Sequence, residues 1–439
     1  MQIIFKNANV YVDGTMKKQN MLFDGSSLSV FMGEEFPFAA KVIDNTLIFP
    51  GFCDAHVHFR EPGFSYKETV ETGSLSAAHG GYTAVMTMPN LKPCPDSKEN
   101  LKIQLDAIKK DAKIAVFPYG SITVNEAGEK LSEMADIAED VAGFSDDGRG
   151  VQNPEMMKTA MAIAKSLDKI IVAHCEDNSL LNGGYIHDGE YARLHGHKGI
   201  SSASEYAQVM RDIELLQETK CKYHVCHVST KESVAAIRRA KAEGIDITAE
   251  TGPHYLVMND MDLQEDGRFK MNPPIRSEED RLALIEGLID GTLDMIATDH
   301  APHSAEEKSK GLAGSLMGVV GLETAFAVLY TDLVLKGIVS LERIVEALSV
   351  APRARFGIKS DPGFTVFKVG EEYTVNPKEF LSMGRATPFE NKKVLAKCLM
   401  TVYGGKAVYT DEEIKNKNIE TKGTRGKNKW QKDTTSKES

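Results

Sequence analysis

The sequence of 439 residues predicts an α/β fold, in which a (β/α)8 TIM barrel is joined to a small β-sandwich domain. Short apolar, β-rich runs alternate with helical segments through the middle of the chain, which is the pattern of parallel βαβ units. Both ends instead alternate apolar and polar residues between turns, which is typical of antiparallel strands. No glycine-rich dinucleotide loop is present, so a doubly wound open sheet is the less favoured alternative.

Eight runs are predicted as the barrel strands. They lie at residues 47–52, 82–88, 114–119, 141–145, 170–173, 223–226, 246–249 and 295–298. Helical stretches separate them, among them residues 153–166, 204–218, 231–243 and 277–288. Eight such units close into a barrel, whose functional residues gather at the C-terminal ends of the strands.

The two β-rich ends are predicted to pair into one composite domain. Residues 1–50 would form its N-terminal part, residues 51–355 the barrel, and residues 356–414 its C-terminal part. The last segment, residues 415–439, contains eight lysines and arginines against three acidic residues and almost no apolar side chain. This composition predicts a disordered basic tail.

Composition excludes several classes of protein. The net charge of −11 argues against a nucleic-acid or anionic-membrane partner. No apolar run approaches the roughly 18 residues of a membrane span, and the N-terminus lacks the pattern of a signal peptide. The six cysteines show no metal-binding or disulfide spacing. We therefore expect a cytoplasmic protein with reduced thiols.

A pair of histidines ends the first predicted strand. In a strand, Asp54, His56 and His58 point to the same face, so the two imidazoles can chelate one ion. Asp54 would accept an imidazole N–H and fix the tautomer. An isolated His-x-His motif is also common by chance, so the other strand ends decide its meaning.

Further histidines and aspartates follow the later strands. The full set of candidate metal ligands is His56, His58, Asp147, His174, His227 and Asp299. Imidazole-rich ligation favours zinc, and two ions about 3.5–4 Å apart need a bridging ligand. Asp147 can bridge with both oxygens, and chemistry alone leaves its neighbour Asp146 open as an alternative.

Several motifs resemble those of one enzyme family, the bacterial class I dihydroorotases of the amidohydrolase superfamily. The matching segments are 54–63, 87–90, 145–148, 173–177, 226–230, 272–274 and 297–303. The resemblance spans about residues 1–410. It implies a reversible cyclisation of N-carbamoyl-L-aspartate to L-dihydroorotate in pyrimidine biosynthesis. It also implies a homodimer, since members of this family are often dimeric.

The resemblance assigns roles residue by residue. His56, His58 and Asp299 would hold one zinc ion, and His174 and His227 a second. Asp147 would bridge them where other relatives use a carbamylated lysine. The implied substrate-binding residues are Arg60, Asn90, Asn272, His303, Met317 and Gly318. Asp299 would also be the catalytic acid–base residue, and the segment 303–316 is expected to be flexible enough to close over the substrate.

Two alternatives stay open at this point. Another cyclic amidohydrolase, such as a hydantoinase or an allantoinase, would share the metal ligands, but its substrates lack the carboxylate that Arg60 would bind. A non-catalytic scaffold would keep the barrel and lose the metals, but such relatives lack several of the ligand histidines, and this chain has all of them.

Overall fold

The chain passes from one sheet to another at Gly51. In the computed structural model, which describes residues 2–33 and 40–415, strand Thr46–Pro50 pairs with Phe364–Thr374 of the sandwich sheet. The next strand, Phe52–Val57, pairs with Tyr82–Thr87 of the barrel. A Cβ atom on Gly51 would lie 2.2 Å from Thr83 Oγ1, so only glycine fits between the two sheets.

The prediction of residues 47–52 as the first barrel strand is therefore wrong. Most of that run belongs to the sandwich sheet, and the first barrel strand is Phe52–Val57. Both strands are almost wholly buried, and one residue separates them. Hydrophobic periodicity cannot divide such a continuous run into two strands.

The barrel strands are parallel throughout and lie close to the other predicted positions. They are Phe52–Val57, Tyr82–Thr87, Ala115–Pro118, Phe144–Ser145, Ile170–Ala173, Lys222–Val225, Ile247–Thr251 and Met295–Ile296. The third strand resumes as Gly120–Ser121, which pairs with the fourth. The barrel closes where His58 N donates to His300 O at 2.9 Å. The predicted (β/α)8 barrel is confirmed.

Helices cover the outside of the barrel. Those longer than eight residues are Val70–His79, Lys98–Asp111, Pro154–Ser166, Ala203–Thr219, Lys231–Ala242 and Glu278–Asp290. Shorter helices are Met134–Ile137, Glu190–His195, Pro253–Val257, Ala305–Lys308, Gly311–Gly314, Ala325–Leu329, Leu341–Val345, Ala351–Arg355 and Glu412–Lys415. Several begin at the side-chain caps that the sequence supplies: Ser277, for example, accepts from Asp280 N in a capping box.

Strands from both ends of the chain form one sheet of eight strands. They are Ile3–Val12, Thr15–Phe23, Leu28–Val30, Lys41–Ile43, Thr46–Pro50, Phe364–Thr374, Lys393–Tyr403 and Lys406–Thr410. The antiparallel pairing of Thr46–Pro50 with Phe364–Thr374 joins the two ends. The expected composite sheet is therefore present, while the exact domain boundaries stay a prediction.

Aromatic side chains attach this sheet to the barrel. Phe326 of a barrel helix packs against Phe367 of the sheet, with 4.4 Å between ring centroids. Phe49 and Phe52, on either side of Gly51, contact the same two rings. Burial of such large rings stabilises the junction by several kcal/mol, at roughly 25 cal/mol per Å² of apolar surface. These aromatic contacts fix the position of the barrel relative to the sandwich sheet.

The predicted tail falls almost wholly on residues 416–439, which lie outside the described residues; Lys415 ends the helix Glu412–Lys415. Across residues 2–33 and 40–415, no helix has the length and apolar character needed to cross a membrane. The six cysteines, all in this part of the chain, are buried and free.

Candidate metal centre

Six predicted ligands meet at the C-terminal end of the barrel. His56 lies in the first strand, and the others follow the first, fourth, fifth, sixth and eighth strands. Their side chains share one buried cluster, and none of these residues is more than 7% exposed. Parallel strands deliver their C-terminal ends to one face, so residues separated by more than 240 positions become neighbours. The structure brings the complete set together.

One group of ligand atoms forms around Asp299. Its Oδ1 lies 3.1 Å from His58 Nε2 and 3.5 Å from His56 Nε2. Atoms of these three residues all lie within 4.8 Å of one another. Asp299 has a left-handed backbone, with φ of 47°. This conformation is uncommon outside glycine and is typical of strained functional positions.

A second group forms around Asp147. Its Oδ1 lies 3.3 Å from His56 Nε2, 3.5 Å from His227 Nε2 and 3.6 Å from His174 Nδ1. Its Oδ2 lies 3.5 Å from His58 Nε2. Oδ1 thus lies beside His56, His174 and His227, and Oδ2 lies beside His58. Asp147 therefore contacts histidines of both predicted ion sites, as its predicted bridging role requires.

Asp146 is directed elsewhere. Its Oδ1 accepts hydrogen bonds from the backbone N–H groups of Ile122 at 2.8 Å and Thr123 at 3.0 Å, and its Oδ2 accepts one from the Thr123 hydroxyl. These bonds fix the loop after the fourth strand. The alternative that Asp146 bridges the ions is therefore not supported by its geometry.

The donor set fits divalent cations. Among the described residues, His56 Nε2 and Asp147 Oδ1 are buried without a hydrogen-bond partner. A buried polar atom without a partner costs free energy that a cation would recover. Four imidazoles and two carboxylates are ligands that zinc prefers. The chemistry of the cluster thus agrees with the metal site that the sequence predicts.

The carboxylates of the cluster are held in the charged form. Burial alone would raise the pKa of Asp147, but the adjacent His56, His227 and His58 lower it well below its usual range. The pKa of Asp299 is lowered in the same way, with His56 and His58 outweighing burial. Ionised carboxylates at neutral pH are the form that binds metal.

Glu250 was missed by the sequence reasoning. Its Oε1 lies 3.0 Å from His56 Nδ1, and its Oε2 lies 3.1 Å from His224 Nε2. Burial would raise its pKa, but the hydrogen bonds from His224 and His56 lower it to about 2. The available signal was an acidic residue inside an otherwise uncharged strand, where a buried charge needs a partner.

Asp54 does not have the role that the sequence predicted. Its carboxylate accepts the backbone N–H groups of His56 at 2.9 Å and Thr298 at 3.1 Å, not an imidazole N–H. It therefore ties the first strand to the eighth. Burial raises its pKa to about 7, against the effect of these hydrogen bonds.

A cavity of about 230 Å³ opens beside the two ligand groups. Every predicted substrate-binding residue lines it: Arg60, Asn90, Asn272, His303, Met317 and Gly318. Five of the six predicted metal ligands also reach it, and His56 lies beneath. The cavity is small and polar on one side, which suits a compact, charged substrate.

Arg60 and His303 form the cationic and polar side of the cavity. Arg60 donates from Nε to Pro302 O at 3.3 Å, which leaves the end of its guanidinium for another partner. Burial, Arg60 and Lys67 lower the pKa of His303 to about 3, so this imidazole is neutral. Its Nδ1 lies 3.2 Å from Lys67 Nζ, and its Nε2 donates to Met317 O at 2.7 Å. Lys67 was not predicted.

Asn272 lies on the opposite side. Its Nδ2 donates to Glu176 Oε1 at 2.9 Å, and Glu176 Oε2 lies 3.6 Å from His174 Nε2. The Oδ1 atom of Asn272 is buried and lacks a hydrogen-bond partner within the described residues. It is thus available to accept a hydrogen bond from a substrate N–H group.

The segment 303–316 is more ordered than the sequence suggested. It contains the helices Ala305–Lys308 and Gly311–Gly314. The buried Lys308 donates from Nζ to the carbonyl oxygens of Lys270 at 3.0 Å, Leu316 at 2.8 Å and Gly318 at 2.7 Å. Three carbonyl acceptors satisfy a buried ammonium. The segment is therefore fastened beside the cavity in this conformation.

Comparison with known proteins agrees with this site. A family model described as Dihydro-orotase-like matches residues 45–233. A Dihydroorotase from Fusobacterium nucleatum is 47% identical over 421 residues, covering 94% of this chain and 99% of that protein. One from Bacillus cytotoxicus is 44% identical over 424 residues, with the same coverage. The chain belongs to the dihydroorotase family.

Solved structures place this dihydroorotase-family chain in a wider fold class. An L-hydantoinase from Arthrobacter aurescens superposes with a TM-score of 0.79 at 24% identity, covering 93% of this chain and 96% of that one. A dihydropyrimidinase from Brevibacillus agri gives a TM-score of 0.78 at 20% identity, covering 93% and 95%. At these identities the likeness concerns the fold, and it confirms the barrel with its β-sandwich.

Proposed function

We propose that the protein is a zinc-dependent dihydroorotase, which interconverts L-dihydroorotate and N-carbamoyl-L-aspartate in pyrimidine biosynthesis. One observation carries the proposal: the histidine cluster around Asp147 opens into the same cavity as Arg60, Asn90 and His303. A metal site for amide hydrolysis thus lies beside a site for a carboxylate.

The six ligands would hold two ions. His56, His58 and Asp299 would bind one, and His174 and His227 the other, with Asp147 between them. When bound, such ions supply water of lowered pKa and polarise an amide carbonyl. Zinc and the count of two are part of the proposal, supported by the imidazole-rich donor set and the buried unpartnered atoms.

Asp299 is the proposed acid–base residue. Its carboxylate is ionised at neutral pH and lies on the floor of the cavity. In hydrolysis it takes a proton from the attacking water while the oxygen bonds to the ring carbonyl carbon. It then gives the proton to the ring nitrogen as the C–N bond breaks. Run backward, the same transfers close the ring and release water.

The remaining residues orient the substrate. Arg60 can bind the α-carboxylate with the free end of its planar guanidinium, and Asn90 and the neutral His303 lie beside it. Asn272 Oδ1 can accept the ring N–H, and the backbone at Met317 and Gly318 lines the same wall. Fixing the substrate at both ends aligns the scissile amide with the metal ligands.

Two measurements test this function. Purified protein should convert dihydroorotate in a spectrophotometric assay and should leave hydantoin and allantoin largely unchanged. It should contain up to two zinc ions per chain, and His174→Ala should lose one ion and nearly all activity. Turnover of hydantoin in preference to dihydroorotate would favour a hydantoinase, and absence of bound metal would favour a scaffold. The homodimer implied by the family and the cytoplasmic location expected from composition stay predictions.

A further inference from the structure

Glu250 lies directly beneath the proposed metal site. It belongs to the seventh barrel strand and is completely buried. Its two oxygens contact two different imidazoles, His56 Nδ1 at 3.0 Å and His224 Nε2 at 3.1 Å. A buried carboxylate is costly unless each oxygen is satisfied, and here both are. The arrangement forms a chain of side chains from His224 through Glu250 to His56.

The chain determines which nitrogen of His56 is free. His56 Nε2 is the atom that faces Asp147 at 3.3 Å and Asp299 at 3.5 Å. For Nε2 to offer a lone pair, the proton must be on Nδ1, and a carboxylate acceptor at Nδ1 favours that tautomer. His56 is also the ligand that the two atom groups share, so its orientation affects both.

His224 holds Glu250 from the other side. Its Nδ1 lies 2.9 Å from the hydroxyl of Thr248, and its Nε2 points to Glu250. Glu250 also lies 3.4 Å from the backbone N–H of His227. That residue has a left-handed backbone, with φ of 30°. The same carboxylate therefore contacts one metal-ligand side chain and the backbone of another.

We propose that Glu250 is a positioning residue for the metal site. It fixes the tautomer and the ring orientation of His56, and His224 fixes Glu250. The inference rests on the proposed function only in that the six ligands bind metal. Loss of such a contact typically weakens metal binding by about 10–100-fold.

A different role for Glu250 is less consistent with the geometry. Atoms of Glu250, His56 and Cys226 also lie within 4.8 Å of one another and could in principle hold a cation. However, Glu250 already accepts hydrogen bonds from His56 and His224. The Cys226 side chain is buried, where the thiolate that binds metal is disfavoured. These residues therefore form a hydrogen-bonded support.

Asp54 provides a matched control. It is also a completely buried carboxylate near His56, but it accepts the backbone N–H groups of His56 and Thr298 and, within the described part of the chain, no imidazole N–H. Replacing either acid by its amide removes one buried negative charge. Only Glu250→Gln changes an acceptor of an imidazole N–H. The comparison thus separates the effect on the ligand ring from a general effect of burial.

The experiment measures zinc affinity of the metal-free protein by competition with a chromogenic chelator. Glu250→Gln should bind zinc about 10–100-fold more weakly than the wild type, and Asp54→Asn less than about threefold more weakly. Cobalt loading gives a second readout: the visible bands should shift in Glu250→Gln and stay in place in Asp54→Asn. Circular dichroism and thermal unfolding of the metal-free chains check that each variant is folded.

A second pair of variants covers the case in which Glu250→Gln does not fold. His224→Gln keeps an N–H donor toward Glu250, whereas His224→Phe removes it. We expect weaker zinc binding only in the phenylalanine variant. Wild-type affinity in Glu250→Gln, or equal affinities in the His224 pair, would overturn the inference. A protein that shows these zinc differences but no dihydroorotate turnover would overturn the proposed function alone.

Discussion

The Nδ1 atom of His58 lies 2.6 Å from the Oδ1 atom of Asn90. The amide nitrogen of Asn90 lies 2.6 Å from the backbone oxygen of Asp147. Asn90, which the sequence analysis assigns to substrate binding, therefore also contacts one predicted metal ligand and holds the loop that carries another. The amide oxygen of Asn90 contacts His58, and the amide nitrogen contacts Asp147. Substitutions that change only one of these two groups can test the two contacts separately.

Replacing Asn90 tests this division. Asn90→Asp keeps an acceptor for His58 but turns the donor half into a carboxylate, which repels the substrate carboxylate. The variant also loses the donor to Asp147 O, so we expect zinc content to fall, but less than in Asn90→Ala, which loses both contacts. The KM for dihydroorotate should rise about 10–100-fold, the cost of a charged hydrogen bond of roughly 1.5–3 kcal/mol. Metal analysis with steady-state kinetics measures both, and an unchanged KM in Asn90→Asp would assign Asn90 to metal support alone.

The proposed bridging role of Asp147 gives a second prediction. If the bridge is this carboxylate, which is already in the sequence, activity after chelation should return with zinc alone. Adding bicarbonate should have no effect, because no lysine has to be carbamylated. Recovery is measured in buffer depleted of carbon dioxide, with and without bicarbonate. A requirement for bicarbonate would contradict the assignment, as would density for a modified lysine between the ions in a crystal structure.

The sequence was sufficient where a residue is tied to a strand end. His174 and His227 each follow a four-residue apolar strand, and parallel topology alone brings such positions together. The sequence analysis was wrong at Gly51, where the chain leaves the sandwich sheet and enters the barrel. The strands on both sides of Gly51 are buried, so their hydrophobicity does not mark the boundary. The contact between Glu250 and His56 could not be predicted from the sequence either. The two residues lie on different barrel strands, and the relative position of those strands is set only when the barrel closes.

Asp299 is expected to be more than a metal ligand. Asp299→Asn keeps an oxygen that can contact metal but cannot accept and return a proton. Loss of such a residue typically lowers kcat by about 10²–10⁴-fold. Substrate binding should be partly retained, because Arg60 and Asn272 are unchanged. Steady-state kinetics with measured zinc content separates the two roles, and a kcat near that of the wild type would leave Asp299 as a ligand only.

The buried His254 gives a prediction about stability and pH. Burial lowers its pKa to about 4, and the nearby Asp299 only partly opposes this. Its Nε2 lacks a hydrogen-bond partner within the described residues. Between about pH 6.5 and pH 4 the unfolded chain takes up a proton at this residue that the folded chain does not. The free energy of unfolding should therefore fall by about 3 kcal/mol as the pH decreases through this window.

Variants isolate that contribution. The glutamine side chain of the variant His254→Gln cannot take up a proton. The difference in free energy of unfolding between wild type and variant should therefore decrease by about 3 kcal/mol from pH 7 to pH 4. Urea unfolding of the metal-free proteins at a series of pH values gives the measurement. Parallel curves for wild type and His254→Gln would show that His254 is protonated in the folded state.

Specificity should depend on Arg60. Its guanidinium lines the cavity and donates from Nε to Pro302 O at 3.3 Å. The backbone of Arg60 is left-handed, with φ of 56°. Arg60→Lys keeps the charge but loses the planar pair of donors that matches a carboxylate. We expect a raised KM for dihydroorotate, and a lower kcat if the carboxylate contact also aligns the ring amide.

A matched comparison makes this prediction decisive. Arg149 lies on the exposed loop just after Asp147 and does not line the cavity that Arg60 lines. Arg149→Lys is therefore the control for a charge near the barrel mouth, and it should change kcat/KM for dihydroorotate only slightly. Hydantoin and allantoin lack the carboxylate, so any residual turnover of them should be insensitive to Arg60→Lys. An unchanged kcat/KM for dihydroorotate in Arg60→Lys would make Arg60 a surface charge and reopen the hydantoinase and allantoinase alternatives, because the metal ligands alone do not distinguish among these cyclic amides.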